Sequence, residues 1–265
     1  MVKDKVMKVR KQLPRLGTRK LYYLLEKDFK AEHLHTGRDK LFELLREENL
    51  LIRRRKKYTK TTNSKHWMHK YSNLVKGMTA QHPEHIWVAD ITYVNTKEGT
   101  AYLHLLTDAY SKQIMGYALS EDLAATSTIA ALQMALKNRK FKTTIIHHSD
   151  RGLQYCSAGY IKLLQQNNFL ISMTADGNPY DNAIAERVNG ILKQEFELED
   201  TRAGIEQSRK QTRQSIELYN TLRPHLSCHM LTPKQMHQQQ SLPVKTWRKK
   251  FSKSLKDLEN FCPRT

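Results

Sequence analysis

Three carboxylates in the central part of the chain have the types and positions that metal-assisted chemistry requires. Asp90 lies inside the apolar run WVADITYV, Asp150 ends the run TIIHHSD, and Glu186 lies in the first turns of a predicted helix. A carboxylate inside an apolar strand is costly unless it is paired, hydrogen-bonded or bound to a metal. The sequence therefore predicts that these side chains, with 35 residues between Asp150 and Glu186, meet at one site.

Carboxylate oxygens predict a site for hard divalent cations. Mg²⁺ keeps several of its waters, so that one or two carboxylates for each ion suffice. Two ions ~3.5–4 Å apart can activate the attacking oxygen and stabilise the leaving oxygen of a phosphoryl displacement. We therefore expect two ions, Mg²⁺ or Mn²⁺, on the proposed catalytic residues Asp90, Asp150 and Glu186.

Each carboxylate also has a structural alternative. Asp90 could be the buried partner of a basic side chain, and Glu186 could pair with a surface base such as Arg187. Asp150 could serve only as a turn former, because Ser149 to Gly152 has the composition of a turn. The occurrence of all three in this order of elements favours the metal site.

Two nearby polar residues are candidates for supporting the carboxylates. Asp108, in the strand-like run LLTDAY, could approach the site or serve the core alone. His148 follows His147 and precedes Asp150, and it could orient DNA or satisfy core hydrogen bonds. The histidine pair does not predict zinc, because no further His or Cys stands at a suitable spacing.

The surrounding sequence predicts an α/β fold. Strand-like runs at 86–94, 100–110 and 112–120 are separated by short turns and predict an antiparallel meander. Helices and strands then alternate over 126–174, and two further helices cover 183–197 and 205–220. This order predicts a mixed sheet with flanking helices.

The predicted helix of Glu186 also supplies candidates for DNA contact. Asn189 and Lys193 follow Glu186 at i+3 and i+7, and Asn182 precedes the helix. Side chains at these spacings share a helix face and could reach a phosphate beside the metals. The alternative is a hydrated helix face.

The amino-terminal residues 1–52 predict a small all-α region that resembles a helix-turn-helix. Two short amphipathic helices are expected there, with Thr36 and Asp39 forming a capping box before the second. A basic linker is expected over 53–80. It begins with Arg53, Arg54 and Arg55, which either contact phosphate or form a solvated run, and the two roles are compatible.

The distribution of charge points to nucleic acid as the partner. The net charge is +19, with 22 basic and 8 acidic residues in 1–80, 16 of each in the predicted catalytic core 81–240, and 7 against 2 in the tail 241–265. Clustered Lys and Arg favour binding to phosphates through counterion release. No apolar run approaches the ~20 residues of a membrane helix, and no secretory signal or disulfide framework is evident. We expect a cytoplasmic protein without membrane contact.

Several longer sequence segments resemble one known family. HHSDRGLQY, GNPYDNAIAERVNGILKQEF and YNTLRPH, in this order, are similar to the integrase-type catalytic core of insertion-sequence-3 family transposases, especially the product of the downstream reading frame. LPRLGTRKLYYLL and GRDKLFELLREENLLIRRR resemble the helical DNA-binding region of that family.

The resemblance implies an RNase H-like fold and a bacterial enzyme that works at the nucleoid. It implies that Asp90, Asp150 and Glu186 are the DDE triad for hydrolysis at the ends of an insertion sequence and for strand transfer. Its partners would be the terminal inverted repeats, target DNA, further copies of the chain on DNA, and an upstream-frame protein or fusion. A non-catalytic DNA-binding regulator and a nuclease without strand transfer are the alternative functions.

Overall fold

A computed structural model describes residues 1–52, 68–175 and 182–245, and helices and strands occur there in the predicted order. No helix within these ranges is long and apolar enough to cross a membrane. The elements are α1 (Val2–Gln12), α2 (Thr18–Ala31), α3 (Arg38–Glu47), β1 (Ile86–Thr96), β2 (Gly99–Asp108), β3 (Ile114–Ser120), α4 (Ala125–Asn138), β4 (Ile146–Ser149), α5 (Ala158–Gln166), β5 (Leu170–Met173), α6 (Ala183–Glu195), α7 (Ile205–Thr221) and α8 (Pro233–His237).

The five strands form one mixed sheet in the order β3-β2-β1-β4-β5. Tight connections join β1, β2 and β3, which pair antiparallel. Helix α4 precedes β4, which pairs parallel to β1, and α5 precedes β5, which pairs parallel to β4. Since a parallel pair needs a long crossover and an antiparallel pair does not, the lengths of the connections decide the topology. The predicted meander and mixed sheet are confirmed.

Different helices cover the two faces of the sheet. On one face, Trp87 and Ala89 of β1 pack with residues of α4 and α5. On the other face, Ile86 and Val88 pack with Ala185 of α6. Side chains alternate along a strand, so Asp90 follows Val88 on the face that α6 covers.

The amino-terminal helices confirm the predicted all-α region, but the predicted capping box is wrong. Helix α3 starts at Arg38 after Gly37, and no side chain caps it. The expected cap, Thr36, therefore lies one residue too early, and Asp39 occupies the second helical position instead of the third. Asp39 pairs with the neighbouring Arg38 at 2.8 Å.

Glu195, the last residue of α6, contacts the amino-terminal region through its carboxylate and its backbone. Glu195 accepts two hydrogen bonds from the buried Arg223, from Nε at 2.8 Å and from Nη2 at 2.6 Å. Lys20 of α2 lies 3.6 Å from the same carboxylate. Burial, followed by the charge of Arg223, lowers the pKa of Lys20 to about 8. The backbone N–H of Arg15 donates to the carbonyl of Glu195 at 3.2 Å.

The short helix α8, which the sequence analysis did not predict, closes a buried charge cluster. Thr232 and Gln235 form a capping box at its start. At its end, His237 lies 3.5 Å from Asp108 and 3.4 Å from Glu84, and all three side chains are fully buried. Burial by itself would lower the pKa of His237, but hydrogen bonds to Asp108 and Glu84 outweigh it and raise that pKa to about 9.

Gly116 marks the closest approach of α4 to the sheet. A Cβ added there would lie 2.0 Å from the carbonyl oxygen of Ala131 and 2.7 Å from the backbone nitrogen of Ala135. We expect Gly116→Ala to lower the free energy of unfolding by about 1–3 kcal/mol, as overpacking does. Urea unfolding measures this change. The control Gly190→Ala has nothing within 4 Å of the new Cβ and should be neutral or stabilising; equal losses in both variants would contradict the packing argument.

The charge cluster predicts a pH-dependent stability. Because the folded pKa of His237 is raised to about 9, its contribution is fully present below the unfolded pKa of about 6.5 and is lost as pH rises through about 9. We expect His237→Gln to cost about 3 kcal/mol near pH 6 and much less near pH 10, at 1.36 kcal/mol for each pKa unit. Urea unfolding of both proteins at the two pH values measures this difference, and a pH-independent cost would show that His237 is not charged in the folded state.

Candidate active site

The register of the sheet brings Asp90 and Asp150 together. Val88 of β1 pairs with His148 of β4 in a parallel register. Asp90 and Asp150 lie two residues beyond this pair along the same direction, and hence on the same face. Asp150 follows the last residue of β4, and its Oδ1 accepts a hydrogen bond from the backbone N–H of Gly152 at 2.9 Å. Asp150 therefore forms the turn, as considered above, and also lies beside Asp90.

Helix α6 carries Glu186 to this face and is fixed to β1 by two asparagines. Asn182, the residue before the helix, donates from Nδ2 to the carbonyl of Ala89 at 3.0 Å. Asn189 donates from Nδ2 to Oδ2 of Asp90 at 2.6 Å. Glu186 lies between the two asparagines in the first turn of α6, and it is exposed. The strand and the helix are thus held together on either side of it.

The electrostatics of Asp90 show that the other two carboxylates are near. Burial raises the pKa of Asp90 to about 7, and the charges of Asp150 and Glu186 add to this rise. The backbone N–H of Ile91 and the amide of Asn189 act in the opposite direction. In the described ranges, no group of three or more His, Cys, Asp or Glu side chains is already arranged to hold a metal ion. The site is therefore a neighbourhood of like charges around one half-buried carboxylate.

Lys193 lies on the side of α6 that approaches Asp90. Its side chain is half-buried, and burial lowers its pKa, while the charges of Glu199 and Asp90 act in the opposite direction. Lys193 is therefore within electrostatic reach of the candidate site and retains partial access to solvent. Its predicted contact with a DNA phosphate stays a prediction.

Asn182 and Asn189 lie deeper than the sequence analysis expected. They are only 7% and 6% exposed, and the amide nitrogen of each is bonded within the protein. Their Oδ1 atoms are buried and have no hydrogen-bond partner among the residues that the structure describes. Contact with DNA stays a prediction for both, and for Arg53, Arg54 and Arg55, which lie outside the described residues.

The two residues predicted to support the site are engaged in the core. Asp108 accepts hydrogen bonds from the backbone of Glu84 at 2.8 Å and from Ser111 Oγ at 2.6 Å, within the cluster of His237. Its contacts match the structural alternative. His148 is fully buried and its Nδ1 lies 2.9 Å from Ser172 Oγ, so it joins β4, the strand that ends just before Asp150, to β5.

Tyr155 is a neighbour of the site that the sequence analysis missed. Its side chain is 2% exposed, and its ring packs against His147 and Tyr160 with centroids 6.3 and 5.6 Å away. Burial raises its pKa, and the charges of Asp150 and Asp90 add to the rise. The sequence feature that could have indicated this was the position of Tyr155 in the segment HHSDRGLQY, five residues after Asp150.

Comparisons with known proteins agree with this fold. Two integrase core domain families match residues 80–179 and 167–233. The chain is 37% identical over 195 residues to the insertion element IS600 uncharacterized 31 kDa protein of Shigella sonnei, and the matched region covers 72% of this chain and 72% of the relative. It is 36% identical over 193 residues to the transposase InsF for insertion sequence IS3A of Escherichia coli K12, covering 72% of this chain and 67% of the relative.

A solved structure shows the same fold. A chain of the simian T-cell lymphotropic virus intasome, determined in complex with PP2A regulatory subunit B56 gamma, superposes with a TM-score of 0.53 at 18% identity. The match covers 92% of this chain and 78% of that chain. The expected RNase H-like architecture is confirmed. On the sequence relatives and the matched integrase core, the chain belongs to the insertion-sequence-3 family of transposases.

Proposed function

We propose that this transposase cuts and joins DNA strands with Asp90, Asp150 and Glu186 as catalytic residues and metal ligands. The observation that carries the proposal is the parallel register of β1 and β4, which places Asp90 beside Asp150 on the face covered by the helix of Glu186. Residues far apart in sequence thus contribute three carboxylates to one face of the sheet.

The residues present fit divalent cations of the magnesium type. All candidate ligands are oxygen atoms, as Mg²⁺ and Mn²⁺ require. The hydrogen-bond donors to Asp90 are neutral, namely the amide of Asn189 and the backbone of Ile91. When bound, two such ions would activate the attacking oxygen and stabilise the leaving oxygen.

The chain's own residues would hold the reacting groups in place. Asn189 fixes one oxygen of Asp90, and the backbone of Gly152 fixes one oxygen of Asp150. Such outer contacts set the orientation of ligating carboxylates. The exposed Glu186 approaches from α6, on the side open to DNA, and Lys193 supplies a nearby positive charge.

Two successive reactions are proposed at this site. First, a water oxygen attacks a phosphodiester at the end of the element, and the 3′-oxygen leaves as a free 3′-hydroxyl. Then that hydroxyl oxygen attacks a phosphodiester of target DNA and displaces another 3′-oxygen. Each step exchanges one oxygen for another at phosphorus, so the same three carboxylates serve both.

The partners follow from the charge distribution and the family. The basic flanks, including Arg53 to Arg55, would hold the terminal inverted repeats and the target DNA, with Asn182, Asn189 and Lys193 closer to the cut. Assembly of several copies on DNA, cooperation with an upstream-frame protein or fusion, and a place at the bacterial nucleoid belong to the same proposal.

Removal of any one triad carboxylate should abolish catalysis and spare binding. We expect Asp90→Asn, Asp150→Asn and Glu186→Gln each to slow cleavage and strand transfer by about 10²–10³-fold or more, as loss of a preorganised charge does. Labelled element ends incubated with Mg²⁺ report both reactions, and Glu121→Gln, an exposed acid elsewhere, is the control. Full strand transfer by Glu186→Gln would remove that residue from the site.

The same assay separates the three functions. Joined strands from the wild-type chain support a transposase, cleavage without joining supports a nuclease, and binding without reaction in any metal supports a regulator. Either of the last two outcomes would overturn the proposal.

Asn189 should act as a positioning residue for Asp90. We expect Asn189→Ala to raise the Mg²⁺ concentration needed for half-maximal cleavage by about 10–100-fold, the usual cost of losing an outer contact to a metal ligand. Excess Mg²⁺ should restore part of the rate. The control Gln194→Ala changes an exposed residue of the same helix. If the Mg²⁺ dependence of Asn189→Ala matched that of the control, the hydrogen bond to Asp90 would have no role in metal binding.

A further inference from the structure

A cavity of about 380 Å³ lies on the α6 face of the sheet, with residues of β1 and β4 in its wall. Its walls come from the first residues of α6, from β1 and β4, from residues 73–80 and from two stretches near residue 227 and residue 245. Its volume is in the range of sites that enclose a small organic group, ~300–1,000 Å³. None of the catalytic carboxylates lines it.

The lining combines an apolar floor with a basic rim. Ile86, Val88 and Ile184 provide apolar surface, whereas the exposed Lys76 and Lys245 lie at the edge. Among the described residues that line the cavity, none is acidic. Apolar walls below a positive rim suit a flat aromatic group attached to a phosphate, which is the composition of a nucleotide.

One polar side chain in the wall lacks a partner. Asn182 is 7% exposed and lines the cavity. Its amide nitrogen is bonded to the carbonyl of Ala89, but its Oδ1 accepts no hydrogen bond from any residue in the described ranges. A buried carbonyl without a donor is costly. It would be satisfied by a ligand that carries an N–H group.

Two residues that line the cavity precede the catalytic aspartates on the same strands or at their ends. Val88 and His148 line it, and each stands two residues before a catalytic aspartate, a distance of ~7 Å along a strand. A DNA strand whose phosphodiester lies at the carboxylates can therefore place an adjacent base in the cavity.

We propose that the cavity receives one unstacked base of the DNA substrate, and that Asn182 Oδ1 accepts a hydrogen bond from an N–H group of that base. The donor is an exocyclic amino group in adenine, cytosine or guanine, and the ring N3–H in thymine. The energy of unstacking is a few kcal/mol and is recovered from contacts in the pocket. This inference rests on the proposed function, because it names the part of the DNA that sits beside the reacting phosphodiester.

The test uses duplexes of the terminal inverted repeat that flanks the coding sequence, each with one abasic site near the cut. Binding is measured without divalent metal, so that no strand is broken. For wild-type protein, we expect one abasic position to weaken binding by about 10-fold, because the burial of that base against the apolar wall is lost. Thr79→Trp, which fills the cavity from an exposed position, should reduce that penalty to less than about 2-fold, while Thr126→Trp, an exposed residue of α4, should retain it.

A second arm tests the hydrogen bond. At the sensitive position, N3-methylthymine, a base without any N–H donor, should weaken binding of the wild type relative to thymine but not binding of Asn182→Leu. Equal abasic penalties in wild type and Thr79→Trp at every position would overturn the cavity proposal. The variant Glu186→Gln distinguishes the cavity proposal from the proposed function. It should lose cleavage and retain the dependence of binding on the base. If the wild type showed this base dependence but did not cleave DNA, the proposed function alone would be overturned.

Discussion

The structure depends on keeping Asp90 ionisable inside the sheet. Its side chain is half-buried in a central strand, near two carboxylates that repel it, and its pKa is raised to about 7 by burial and by their charges. Such a group is stable only if something compensates its charge. Hydrogen bonds from Asn189 of α6 and from the backbone of Ile91 contribute to this compensation, whereas Asp150 at the end of β4 adds to the repulsion. The arrangement of the other elements can be understood as the framework that holds these three groups at short range.

Two other charge clusters of the protein differ from the surroundings of Asp90. Glu84 and Asp108 are fully buried, and His237 lies between them as a cation. Glu195 is bound by Arg223 and approached by Lys20. In both clusters the protein supplies its own positive charge. Asp90 instead receives hydrogen bonds from neutral donors, which fix its orientation without neutralising it. An external cation is the compensation that this difference favours.

The sequence predicted the strands, the sheet and the place of Asp90 because local patterns determine them. It could not predict Asn189 as a partner of Asp90, since the i+3 spacing from Glu186 allows an outward or an inward side chain. The rotation of α6 about its axis decides between the two, and this depends on packing against β1. Asp108 raised a different problem. The register pairs Asp90 with Leu105, so Asp108 lies three residues further along β2, or ~10 Å away. The residue types in two strands do not determine which residues pair across them.

The neutral centre and the basic flanks also follow from the constraint on Asp90. Basic side chains packed against the three carboxylates would pair with them and compete with metal ions for the same oxygens. Clustered Lys and Arg still have to hold DNA, because affinity for phosphates scales with the number of cations in contact. Placing them in 1–80 and 241–265 separates the two requirements. Lys193 is the intermediate case: it is close enough to Asp90 to interact with it, yet its half-buried side chain remains accessible to a phosphate. In the proposed function, the flanks would provide the affinity for DNA, and the centre would keep the negative charge that metal binding requires.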